Sequence, residues 1–159
     1  GLPGWLYQVK TGATTIWERW DAIGLDGRAF DPQMNSYNHY AYGAVCQWLF
    51  EAVAGFRPDP EQPGFKHIVF EPVILPPLSP VKAHHDSAVG SIEAGWTLDG
   101  DRVTYDVVVP KGARGTLVLA PTYTDIAIDG SPLVSTGGEE NARSLLAPGK
   151  HTVTFRISR

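Results

Sequence analysis

A chain of 159 residues with a formal net charge of −4 has the size of one ordinary domain and lacks the basic footprint of a nucleic-acid binder. An apolar fraction of 43% supports a sizeable core, no run reaches the length of a membrane-spanning helix, and frequent Gly and Pro favour turn-rich β structure. The single cysteine, Cys46, excludes an internal disulfide and leaves the compartment open.

The only methionine is Met34, and Gly1-Leu2-Pro3-Gly4-Trp5 reads as a start in mid-domain, so a portion of a longer protein is expected. Residues 2–9 are apolar and aromatic but short. A helix is expected to start at Thr14 or Thr15, because Thr15 and Glu18 have the spacing of a capping box. Ile16, Trp20 and Ile23 then fall at helical spacing as a buried stripe, and Gly24 stops the helix. Turn signals at Asp26-Gly27 and Asp31-Pro32 make residues 25–33 a loop.

Asn35, Ser36 and Asn38 are candidate caps for a longer helix over residues 39–54, with Gly55 as its stop and Pro58 beyond. Tyr42, Val45, Cys46, Leu49, Phe50 and Val53 form one apolar stripe; Ala44, Trp48 and Ala52 make the other side apolar too. Such a helix is built for burial from several sides. Its partners are expected upstream of Gly1, its exposed face should favour self-association, and Cys46 is expected to be a small core residue.

Pro58, Pro60 and Pro63 mark a boundary, dividing the chain into 1–63 and 64–159. Past it the period becomes alternating. Strands are expected at 65–73, 91–98, 102–109, 115–119, 123–128 and 151–157, with Asp99-Gly100 closing a type I′ hairpin and Asp129-Gly130 a second turn. The fold class is α+β: helices followed by an antiparallel, jelly-roll-like β-sandwich.

Chemistry concentrates in residues 12–21, Gly-Ala-Thr-Thr-Ile-Trp-Glu-Arg-Trp-Asp, and residues 34–43, Met-Asn-Ser-Tyr-Asn-His-Tyr-Ala-Tyr-Gly. Indole faces pack on the C–H face of a sugar while carboxylates take hydroxyls or move protons. Trp17, Trp20 and Glu18 therefore suit carbohydrate chemistry, although spacing alone favours Glu18 as the closing residue of a capping box. Asp21 can share a face with Glu18 or pair with Arg19; His39 can donate to a sugar hydroxyl or serve packing. In His84-His85-Asp86 neighbouring side chains of a strand point to opposite faces and chelate poorly. No P-loop, dinucleotide fingerprint, serine nucleophile elbow or zinc-protease motif is present.

The two runs resemble bacterial α-L-rhamnosidases of glycoside hydrolase family 78, as does Pro63-Gly64-Phe65-Lys66-His67-Ile68. The resemblance covers the carboxyl-terminal portion of such an enzyme. It implies the last helices of an (α/α)6 catalytic barrel in residues 1–63, then a β-sandwich in residues 64–159. It further implies an inverting hydrolysis of terminal α-L-rhamnosides, with Glu18 matching the general base and His39 a histidine that contacts rhamnose. The general acid would lie in an earlier stretch, so this chain alone is expected to be inactive. The expected partners are a rhamnose-containing glycoside and the rest of the barrel; no cofactor, metal, nucleic acid or membrane is expected. Rival readings are a sugar-binding sandwich, with Trp96, Tyr105 and Tyr123 as a platform, or a purely structural cap on the barrel.

Overall fold

The computed structural model describes residues 4–31, 33, 35–133 and 140–158; residues 1–3, Pro32 and Met34, which enter the sequence reading, lie outside them. The chain divides into two compact units between Gln47 and Trp48, whereas composition places the boundary after residue 63.

In the first unit α1 (Trp5–Lys10) is a short helix whose Tyr7 and Gln8 are buried. Residues 13–21 form no helix, which corrects the expected capping box. The groups meant to cap are spent elsewhere: the Thr15 hydroxyl donates to the Tyr37 carbonyl, and the Glu18 carboxylate accepts the Ser36 N–H. Long-range hydrogen bonds outweigh a local cap of about 1 kcal/mol. The buried residues are accordingly Tyr7, Trp17 and Ala22, not a helical stripe of Ile16, Trp20 and Ile23.

A helical run does follow. It comprises a 3-10 turn (Ala41–Ala44), α2 (Val45–Trp48) and a π-helical turn (Leu49–Val53), in which the Ala54 N–H reaches back to the Leu49 carbonyl at 2.8 Å. Gly55 ends it with φ of +77°. Of the predicted stripe only Val53 is buried; Trp48, Leu49 and Phe50 stay exposed. Cys46 is exposed too, because the described elements do not cover its side of the run.

The second unit is a two-sheet sandwich. Its strands are β1 (Phe56–Pro58), β2 (His67–Phe70), β3 (Val81–Ser87), β4 (Gly90–Asp99), β5 (Arg102–Val109), β6 (Arg114–Leu119), β7 (Thr124–Ile128), β8 (Ser131–Pro132), β9 (Ala142–Leu146) and β10 (Gly149–Arg156). One sheet runs β1-β2-β6-β9 and the other β3-β4-β5-β10-β7-β8. All pairs are antiparallel except β2 with β6, so the expected all-antiparallel arrangement holds for the larger sheet and fails at that pair. A parallel pair needs a crossover, and here β3, β4 and β5 of the other sheet supply it.

Alternation puts Val103, Tyr105, Val107 and Val109 of β5 into the core, with Trp96 of β4 and Val153 and Phe155 of β10. Ile68, Phe70, Leu117 and Leu119 meet them from the smaller sheet. Gly100 closes the β4–β5 hairpin at φ +62°, in the first central position, which is the type II′ arrangement and not the expected I′. The I′ geometry occurs at Asp129-Gly130 between β7 and β8, where both residues take positive φ (51° and 78°).

The sandwich also holds the end of the helical run. Trp96 Nε1 donates to the Val53 carbonyl at 2.7 Å, and the Tyr105 hydroxyl lies 3.0 Å from both the Ala54 and the Gly55 carbonyls. The Val53 and Ala54 carbonyls are of the kind that a helix end leaves without partners, while the Gly55 carbonyl also accepts the Glu71 N–H at 2.7 Å. Burial pushes the Tyr105 phenol well above its ordinary pKa, so it remains a hydroxyl.

Candidate active site

The site is built from two segments zipped together. The Glu18 N–H donates to the Ser36 carbonyl at 2.8 Å, and the His39 N–H donates to the Ile16 carbonyl at 2.7 Å. The Ser36 N–H in turn donates to Glu18 Oε2 at 2.8 Å. The two sequence-predicted residues, Glu18 and His39, therefore sit on neighbouring strands of backbone, both half-buried. Glu18 is tethered through one carboxylate oxygen, Oε2, and the residue is half-buried. A carboxylate with one oxygen fixed by a backbone N–H can receive a proton from a bound water on the other.

His39 stacks on Tyr40 (centroids 5.4 Å apart, planes within 5°), and its Nδ1 accepts the Ala41 N–H at 3.3 Å. With Nδ1 accepting, the neutral ring carries its proton on Nε2, ready to donate to a hydroxyl.

The aromatic wall differs from the sequence expectation. Trp17 is only 4% exposed and meets Tyr37 edge-on at 5.9 Å, so it supports the site from within and offers no face to a sugar. Trp20 is half-buried, stacked on Tyr42 at 3.7 Å and touched edge-on by Trp5 at 5.1 Å. Trp5 adds a hydrogen bond from its indole N–H to the Tyr42 carbonyl at 3.0 Å. Asp21 pairs with Arg19 (3.2 Å), whose guanidinium lies 4.1 Å over the Phe30 ring. Of the readings open for Asp21, the pair with Arg19 is the one seen here.

One residue escaped the sequence reading. Gln8 is 3% exposed, its Oε1 accepts the Trp17 N–H at 3.1 Å, and its Nε2 reaches the Arg19 carbonyl at 3.4 Å. A lone amide inside the apolar run Trp5-Leu6-Tyr7-Gln8-Val9 was the available signal.

Among the described residues the second unit offers no comparable constellation. An open groove of about 620 Å³ lies on the six-stranded sheet, with Lys82, His84, Glu93, Asp106 and Thr152 on its walls. The Trp96 beside it is 1% exposed and Tyr105 is fully buried, while Tyr123 stacks on Phe155 at 4.7 Å. Of the three aromatics proposed as a sugar platform, Trp96 and Tyr105 are core residues and Tyr123 is half-buried with its ring packed on the core. His84 pairs with Asp86 (3.3 Å) and His85 contacts Phe65 (4.9 Å). Among the described residues no cluster of three or more His, Cys, Asp or Glu could hold a metal ion.

Tethered acid, histidine and aromatic wall, followed by a sandwich, make up the kind of equipment found in glycoside hydrolases. Residues 1–53 match the family described as bacterial alpha-L-rhamnosidase 6 hairpin glycosidase domain, and residues 55–130 the family described as bacterial alpha-L-rhamnosidase C-terminal domain. The chain belongs to the bacterial α-L-rhamnosidases and matches their carboxyl-terminal portion. An alpha-L-rhamnosidase of Alteromonas sp. (strain LOR) is 36% identical over 126 residues, 79% of this chain and 13% of that protein. One from Formosa agariphila is 38% identical over 116 residues, 72% of this chain and 12% of that protein. The crystal structure of the Streptomyces avermitilis α-L-rhamnosidase complexed with L-rhamnose superposes with a TM-score of 0.78 at 28% identity, covering 97% of this chain and 15% of that one. The chain therefore spans only 12–15% of the length of these relatives.

Proposed function

We propose that this chain supplies the general-base side of an inverting α-L-rhamnosidase whose remaining catalytic parts lie in a longer protein. The observation that carries the reading is the double tie between Glu18 and Ser36, which aims a half-exposed carboxylate from a segment locked to that of His39. Glu18 takes a proton from water as the water attacks the anomeric carbon. His39 Nε2–H holds a rhamnose hydroxyl. A second carboxyl, outside this chain, protonates the departing oxygen. In an inverting site the two carboxyls stand about 6.5–9.5 Å apart, which leaves room for the water.

Residues 1–63 in the sequence division would then be the last helices of the (α/α)6 barrel. The exposed apolar side chains of Trp48, Leu49 and Phe50 support this, since neighbouring barrel helices would cover them. Residues 64–159 would cap the barrel; the grip of Trp96 and Tyr105 on the end of the helical run favours that structural role over sugar binding.

The test is hydrolysis of an aryl α-L-rhamnoside. The 159-residue chain alone should give no turnover, and the longer enzyme should release the inverted sugar first, as seen by proton NMR. In that enzyme Glu18→Gln should lower kcat by about 10²–10⁴-fold with the fold intact. His39→Ala should raise KM by about 3–10-fold, the value of one hydrogen bond. Near-normal rates in Glu18→Gln would rule out the base assignment.

A further inference from the structure

We infer that Gln8 is a positioning residue for the Glu18 carboxylate, an inference that rests on the base reading above. Among the described residues Gln8 is the buried polar side chain of the first unit, and it bonds on both sides of Glu18 without touching it. Its Oε1 receives the N–H of Trp17 and its Nε2 faces the carbonyl of Arg19. An amide is the side chain that can do both at once, because it carries an acceptor and a donor on one planar group. The backbone of Gln8 adds a third tie, accepting the Ala13 N–H at 3.0 Å.

The peptide that bears Glu18 is therefore held from two directions. Ser36 fixes it from the front, by main chain and by carboxylate. Gln8 fixes it from behind, from a helix whose Tyr7 and Thr11 are themselves hydrogen-bonded, to the Ile23 and Tyr7 carbonyls. A base that must sit within hydrogen-bond reach of one water tolerates little drift; a misplacement of about 1 Å can cost on the order of 10²-fold in rate. Residues 13–21 lack the internal hydrogen bonds of a helix, so apart from Gln8 the stretch is fixed by its bonds to residues 36–39 and by the ring contacts of Arg19 and Trp20, none of which reaches the Trp17 N–H or the Arg19 carbonyl from the side of α1.

In the longer enzyme Gln8→Leu keeps the volume and removes both side-chain bonds. The expected result is a kcat lowered by about 10–10²-fold with KM within about twofold, because ground-state contacts to the sugar do not pass through Gln8. In a Glu18→Gln background the same change should cost nothing further, since a residue acting only through Glu18 has no effect once the base is gone. Wild-type kcat in a folded Gln8→Leu enzyme, or an equal additional loss in the Glu18→Gln background, would overturn the inference. If Gln8→Leu does not fold, Gln8→Glu decides. A protonated carboxyl repeats the donor–acceptor pattern and an ionised one loses the donor. Its kcat relative to wild type should then fall as pH rises from about 5 to 9, and a flat ratio would overturn the inference. Should Glu18→Gln itself retain activity, the base reading fails first, and that result is read separately from either Gln8 variant.

Discussion

His151 and Asp129 show how much one side chain's partners decide. His151 Nδ1 faces Asp129 Oδ2 at 2.8 Å and its Nε2 faces the Ala147 carbonyl at 2.8 Å. Both nitrogens meet acceptors, so the ring is served best when doubly protonated. Burial opposes the charge, but the Ala147 carbonyl and the Asp129 carboxylate outweigh it and raise the pKa above the ordinary 6.5. Asp129 is held below its ordinary 3.8, first by the His151 hydrogen bond and then by the Thr152 N–H. The histidine's contribution is complete below 6.5 and fades as pH rises through its folded value; the aspartate's is complete above 3.8 and fades as pH falls through its own. The pair should stabilise most between these limits. Asp129→Asn should flatten the pH dependence of the melting temperature on both flanks. The change should be small, because the Asp129 side chain is 51% exposed. An unchanged profile would contradict the coupling.

Elements depend on whether local signals survive their surroundings. Gly55 was legible as a helix stop, and its φ of +77° gives the reason. Its demand is stronger than a turn's: a Cβ there would lie 2.4 Å from the Pro72 Cα. Gly130 has nearly the same φ (+78°) with nothing within 4 Å of that position. Gly55→Ala should therefore add overpacking to backbone strain and cost roughly 2–5 kcal/mol, while Gly130→Ala should cost about 1–2 kcal/mol. Urea unfolding of the two variants separates these terms; equal losses would deny the steric one. The strands were legible because alternation in β4, β5 and β10 is periodic and one face is buried. The helix expected between Thr14 and its stop at Gly24 is absent for the opposite reason. Thr15 and Glu18 obey a local rule, but their hydrogen bonds go to residues 18 to 22 positions away.

At the scale of the whole molecule the exposed apolar end of the helical run stands out. Trp48, Leu49 and Phe50 are between 38% and 47% exposed. Apolar side chains presented together to water favour association. The isolated chain is expected to self-associate with rising concentration, and Trp48→Lys with Leu49→Lys should reduce the apparent mass in light scattering. A strictly monomeric wild-type chain would remove the argument from the helical run's exposure to a covering barrel.

The sequence by itself determined β2, β4, β5, β6, β7 and β10, the turn glycines and the family, because period and backbone freedom are local properties written into neighbouring letters; β1, β3, β8 and β9 were not legible there. Only the tertiary structure decided that Trp17 is buried, that Asp21 answers to Arg19, that β2 and β6 run parallel, and that Gln8 reaches both sides of Glu18. Each of those depends on which distant groups satisfy a hydrogen bond or exclude water from a ring. A folded chain settles such contests by the sum of all its contacts, which no short stretch of sequence contains.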